Sequence, residues 1–228
     1  MSNGNLMMLA SPLTPNVDLS ALGLSSSATI VDCLLEEIDR KGHLVWQWRA
    51  SDHIYAGEST QQFNYTVDGQ PVYEIFHCNS IDTDPISGNV LVSSRNTDAV
   101  YLIDKASGSI VWKMGGNSLA HSGVEKLAIT DDPEGAFHAQ HDARFEPNGD
   151  VSLFDDQSGH AGLAMRGVEY HIDTSAGIAS LVWSYQSPDG SNTPATGVFS
   201  VSMEARTTVS AGAPSSSNYS PMLTLRAS

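Results

Sequence analysis

Residues 76–116 read FHCNSIDTDPISGNVLVSSRNTDAVYLIDKASGSIVWKMGG. Begun a few residues earlier, at YEIFHCNSI (73–81), the block holds four apolar runs. Gly88-Asn89 turns into VLVSSR (90–95), AVYLID (99–104) follows, and Ala106-Ser107-Gly108 leads to SIVWKM (109–114). Short runs rich in β-branched and aromatic residues, bounded by Gly, Asn and Ser, are strand and turn signals. Four strands in about forty residues is the arithmetic of one β-propeller blade.

The pattern recurs on both sides. Downstream come FHAQHDARF (137–145), an Asn148-Gly149 turn, DVSLFDD (150–156), GVEYHID (167–173), a Ser175-Ala176-Gly177 turn and SLVWSYQ (180–186). Upstream, ATIVDCLLEEID (28–39), a turn at Arg40-Lys41-Gly42 and HLVWQW (43–48) fit the outer half of a unit, as two strands joined by a tight hairpin. A helical turn at LLEEIDR is the second reading there. The landmarks align: Asp39, Asp104 and Asp173 each follow Ile, and Trp46, Trp112 and Trp183 each end a Leu/Ile-Val-Trp phrase. The Asp-to-Trp gaps are 7, 8 and 10 residues, so the turn varies while both strands persist. The tryptophans read as packing between stacked sheets.

This predicts an all-β fold, a β-propeller with about two and a half blades of four-stranded antiparallel sheet over residues 28–187. A propeller closes with four to eight blades. The chain therefore reads as a fragment whose outer sheets keep unpaired edges. Residues 1–27 read as an irregular N-terminal segment, 49–72 as a polar loop, and 188–228, Ser/Thr/Ala-rich and without the repeated phrases, as a poorly ordered or aberrant tail.

Eleven Lys and Arg stand against 26 Asp and Glu, a net charge of -15. That argues against nucleic acid as a partner, because binding phosphates needs a basic face. No run is long and apolar enough for a membrane span, and the first residues lack a signal-peptide pattern, leaving the compartment open. Composition favours two separately buried thiols at Cys33 and Cys78 over a single bridge between them.

Two of the eight histidines, His77 and His141, hold equivalent places in the first strand of their units. The innermost strands of a propeller line its channel, so both converge on one axis. Asn79 shares a strand face with His77 at a spacing of two. Arg95, at the end of the next strand, can return beside it. Guanidinium, imidazole and carboxamide together make a set for a tetrahedral oxyanion. Asp142 and Arg144 share the face opposite His141 if the strand is regular, as a salt bridge. His138 and His141 lie near each other without the partners of a metal shell, so no metal and no cofactor is expected.

FHCNSID, GNVLVSSRNTDAVYLID, GSIVWKMGG, QHDARF and SLFDD, in this order, resemble the arylsulfotransferase family, the PAPS-independent aryl-sulfate sulfotransferases. The likeness covers about residues 30–187. It implies a six-bladed propeller with a central site and transfer of a sulfuryl group from a phenolic sulfate ester to a phenol through a sulfohistidine. By the same resemblance His141 of QHDARF is the nucleophile, while His77, Asn79 and Arg95 bind the sulfuryl oxygens. His53 is a further histidine that the resemblance leaves unaligned. Family members are often exported. The competing reading is an inactive propeller fragment serving as a binding module.

Overall fold

The computed structural model describes residues 4–120, 123–158 and 162–186. The expectation for 188–228 lies outside them. In chain order the strands are β1 (Leu6–Ala10), β2 (Leu13–Val17), β3 (Ala28–Val31), β4 (Leu34–Ile38), β5 (Leu44–Arg49), β6 (Phe63–Val67), β7 (Gln70–Glu74) and β8 (Cys78–Thr83). They continue with β9 (Val90–Ser94), β10 (Ala99–Ile103), β11 (Ile110–Gly115), β12 (Glu125–Thr130), β13 (His141–Phe145), β14 (Val151–Asp155), β15 (Arg166–Asp173) and β16 (Ile178–Gln186). A single turn of helix, α1, spans Ala50–His53. The protein is all-β.

β8-β9-β10-β11 and β13-β14-β15-β16 are the two four-stranded antiparallel meanders expected from the repeat. They are joined into one nine-stranded sheet by β12, which lies parallel to both β11 and β16. The end strands of that sheet, β8 and β13, come back together, so it nearly closes.

The middle meander is buried on both faces, and its sequence shows why. Alternate residues of a strand point to opposite faces, and here both sets are apolar. Val90 and Val92 of β9, with Ala99, Tyr101 and Ile103 of β10, enter a core shared with Ile30, Leu35, Trp48 and Phe76. Leu91, Val100, Trp112 and Met114 enter a second core with Phe137, Leu153, Val168 and Tyr170. Emptying a site such as Leu91, with no exposed surface, costs about 2–5 kcal/mol for Leu→Ala.

Four expectations are corrected. The N-terminal segment is not irregular throughout: β1 pairs antiparallel with β4, and β2 with β3. The 28–39 run is two strands rather than one, because Asp32 and Cys33 break it: β3 joins the sheet β2-β3-β7-β6, and β4 forms the hairpin with β5. Residues 63–72, read as loop, form the β6–β7 hairpin together with Tyr73 and Glu74, read as the start of the following strand, and the hairpin turns on Asp68 (φ 50°) and Gly69 (φ 76°). Two successive positive φ values suit a two-residue hairpin turn. Cys33 and Cys78 are bonded to each other, not separate thiols. The bridge fastens the β3–β4 corner to the first residue of β8.

Candidate functional site

His77 is the residue before β8 and adopts a left-handed conformation (φ 51°). This turns the chain out of line just ahead of the strand. A β-bulge follows between Cys78 and Ser80, so the regular alternation expected to carry His77 and Asn79 on one face is broken. The backbone around His141 is unusual on both sides, with Ala139 at φ 50° and Asp142 at φ 54°. Left-handed non-glycine residues of this kind cost about 1–3 kcal/mol each, so packing must hold them. The holding groups are visible. Asp98 Oδ1 accepts from the Ala139 amide at 2.6 Å. The buried Gln140 side chain donates to Ser93 Oγ, Ser94 O and Ala99 O.

His141 ends up 4% exposed. Its Nδ1 stands 3.0 Å from the Ala139 carbonyl, which can only accept, so Nδ1 carries the hydrogen. Nε2 then presents a lone pair and has no hydrogen-bond partner among the described residues. Burial pushes the imidazole pKa down to about 4, and the electrostatic influence of His77 and Arg95 acts the same way against the Ala139 hydrogen bond. At neutral pH the ring is uncharged. The His77 and His141 rings meet edge to face, their centroids 6.2 Å apart.

Arg95 opens a turn of 3-10 helix after β9. Its amide donates to the His77 carbonyl at 3.1 Å. The guanidinium donates to Gln61 Oε1, Asn96 Oδ1 and Ser158 Oγ. All three acceptors are neutral, and the carboxylates that feel its charge, Glu74 and Asp156, interact with it electrostatically. The guanidinium carbon lies 4.9 Å over the Phe63 ring, which also meets the His77 ring at 6.1 Å. Asn79 plays a different part from the one expected. Its Nδ2 donates to the Gln140 carbonyl at 2.7 Å, tying β8 to the residue before His141. Its Oδ1 is buried without a partner.

The structure thus brings His77, His141 and Arg95 into one neighbourhood, with Asn79 beneath. The expected Asp142–Arg144 salt bridge forms, at 2.6 Å. His53 instead stacks on Trp48, 5.0 Å between ring centroids. Among the described residues no group of three or more His, Cys, Asp or Glu is arranged to hold a metal. Gln61, Phe63, Glu74 and Ser158 were not anticipated. Gln61, Phe63 and Ser158 lie outside the repeated phrases, and Glu74 lies inside the first of them, YEIFHCNSI, next to the apolar residues that drew the reading.

The profile of the family described as Arylsulfotransferase (ASST) matches residues 1–221. The chain belongs to the arylsulfotransferase family. The match takes in β1 and β2 as well as both meanders, nearly the whole chain. No curated protein matches it. Membership brings aryl sulfotransfer, in general terms, to this arrangement of side chains.

Proposed function

We propose that this arylsulfotransferase moves a sulfuryl group from a phenolic sulfate ester to a phenol without PAPS, with His141 as the covalent carrier. The observation that carries the reading is the state of His141: buried, neutral, and with Nε2 unpartnered beside the Arg95 charge. An unprotonated ring nitrogen with no competing hydrogen bond is what an in-line attack on sulfur needs.

In the first half-reaction the Nε2 lone pair forms a bond to sulfur. The sulfur–oxygen bond to the aryl group breaks, and its electron pair leaves on the phenolic oxygen. In the second, the acceptor phenol oxygen attacks sulfur and gives up its hydroxyl proton, the nitrogen–sulfur bond breaks, and its pair returns to Nε2; the proton released balances the one taken up by the departed phenolate. Splitting the transfer this way gives ping-pong kinetics. Arg95 binds the sulfuryl oxygens, whose charge is partly balanced by its guanidinium in the transition state. Asn79 supports His141 through the Gln140 carbonyl. Stacking of the middle meander between two cores supports a reading of each meander as a propeller blade, with β8 and β13 innermost. The Cys33–Cys78 bond fits an oxidising compartment.

The test is the intact mass of the protein after exposure to 4-nitrophenyl sulfate. A gain of one sulfuryl group, labile to acid and lost in His141→Ala, is the expected result. Turnover without any protein-bound sulfuryl group would sink the covalent route.

A further inference from the structure

The β6–β7 hairpin lies against the site and turns one face towards it. Phe63 and Glu74 are directly opposed across the hairpin, and Tyr65, two residues along β6, is on the same face as Phe63. Tyr65 Oη donates to Glu74 Oε2 at 2.7 Å. The other carboxylate oxygen, Oε1, is 3.0 Å from His77 Nδ1. The ring nitrogen does not meet that oxygen in hydrogen-bond geometry, so the contact is a close approach that becomes an ion pair when the imidazole carries both protons. Glu74 is only 12% exposed. Burial acts against its charge, but His77 and Tyr65, with Arg95 nearby, hold its carboxyl below the usual carboxylate range.

We propose that Glu74, braced by Tyr65, is a positioning residue that keeps a proton on His77 for delivery to the departing phenolate oxygen. This rests on the sulfotransferase reading above and gives His77 a duty beyond binding oxygens. The groups around His77 are Glu74 from β7, Phe63 from β6, His141 from β13 and, on the far side of the Phe63 ring, the Arg95 guanidinium, whose charge opposes a proton on His77. Of these only Glu74 is anionic. The two histidines thereby divide the work, His141 giving an electron pair and His77 a proton.

The proton balance closes over the cycle. As the aryl sulfur–oxygen bond breaks, the phenolic oxygen takes the proton from the His77 nitrogen remote from Glu74. His77 becomes neutral and keeps its Nδ1 hydrogen towards Glu74. When the acceptor phenol attacks the sulfohistidine, its hydroxyl proton returns to His77.

General-acid help matters most when the leaving oxygen is strongly basic. Phenyl sulfate expels such an oxygen, whereas 4-nitrophenyl sulfate expels a phenolate stabilised by its own ring. The experiment compares kcat/KM for these two donors, with one common acceptor, in the full chain and in the Glu74→Gln and Tyr65→Phe variants. Glu74→Gln is expected to lose about 10²-fold on phenyl sulfate, a typical general-acid contribution, and far less on 4-nitrophenyl sulfate. Tyr65→Phe, at a 47% exposed position that tolerates the change, is expected to shift the donor ratio in the same direction by a smaller factor. An unchanged donor ratio in Tyr65→Phe, or equal losses on both donors in Glu74→Gln, overturns the proposal while leaving the sulfotransferase standing. Absence of His141-dependent transfer by the unaltered chain overturns both.

Discussion

His77 and His141, 64 positions apart in the sequence, meet edge to face at 6.2 Å although the strands that begin with or just after them exchange no backbone ladder. β8 and β13 are the two ends of the nine-stranded sheet. Side chains lace them instead. Asn79 Nδ2 donates to Gln140 O, the Ala143 amide to Ser80 Oγ, Arg144 Nη1 to Ile81 O, and the Phe145 amide to Asp82 Oδ2, at 2.6–2.9 Å. Each rung joins positions 61 or 63 apart, so residues 79–82 track 140–145 in step.

Cutting one rung should therefore move His141 more than it unfolds the protein. A net hydrogen bond contributes about 0.5–1.5 kcal/mol. A displacement of about 1 Å at a reacting group is worth up to about 10²-fold in rate. Asn79→Ala and Ser80→Ala should each lower kcat by about tenfold or more while shifting the denaturant midpoint little. Ser80 is buried under the strand, so a rate loss there reports alignment rather than substrate contact. Steady-state kinetics beside equilibrium unfolding check this, and a full rate with a lost rung would contradict it.

The lowered pKa of His141 sets the acid side of the reaction. Nucleophilic attack needs the neutral ring, so the rate of the donor half-reaction should climb as pH rises through about 4 and be level from there to neutrality. The same shift links to stability with a definite sign. Between pH 4 and 6.5 the unfolded chain binds a proton at this residue and the folded chain does not, so stability rises with pH across that window. The His141 contribution is about 3 kcal/mol at 1.36 kcal/mol per pH unit. Comparing wild type with His141→Gln, whose unfolding should depend less on pH there, isolates it.

Cys33–Cys78 closes a loop of 45 residues. In the chain-entropy picture a loop of that size is worth about 4 kcal/mol against the open chain. Cys78 also adjoins His77, so the bond holds the site as well as the fold. Reduction, or Cys33→Ser with Cys78→Ser, should lower the free energy of unfolding by about 4 kcal/mol and reduce transfer activity. Thiol counting before and after dithiothreitol, together with melts in both states, measures it. Identical melts would contradict it.

The two four-stranded meanders were readable because their turns are written in side chains. Asp39, Asp104 and Asp173 each accept backbone amides two or three residues on, from Lys41, Ser107 and Ser175 at 2.7–3.0 Å. A carboxylate that builds its own turn leaves a local mark. The pairing of His77 with His141 was readable for the same reason, since both follow from counting units. The remaining features are not local. β1 and β2 are strands because β4 and β3 offer edges, not because LMMLASPLTPNV advertises them. β12 is fixed by parallel partners on both sides. The disulfide depends on a corner meeting a strand 45 residues later. Phe63 lies outside the repeated phrases, and Glu74, though inside YEIFHCNSI, ends the β6–β7 hairpin instead of continuing into β8, a break that the apolar run conceals. The bond from Asn79 to the Gln140 carbonyl was not legible, because the bulge after Cys78 is invisible in the alternation.

Arg166 offers a last test, one that separates support of the site from its chemistry. It is 3% exposed and surrounded by Asp132 and Asp155 at 2.8 Å and Glu134 at 3.3 Å. Asp155 in turn accepts the His138 amide at 2.9 Å through its other oxygen. The guanidinium thus anchors the 138–141 turn without touching the candidate site. Arg166→Met removes the cation and leaves buried carboxylates uncompensated, which is destabilising by about 3–5 kcal/mol. Adding Asp155→Asn relieves one of those charges, so the double variant should be less destabilised than the sum of the two single changes. A double-mutant cycle by urea unfolding measures that coupling. Additive losses would mean that Arg166 and Asp155 act separately, and that the turn carrying His141 is held by Asp98 and Gln140 alone.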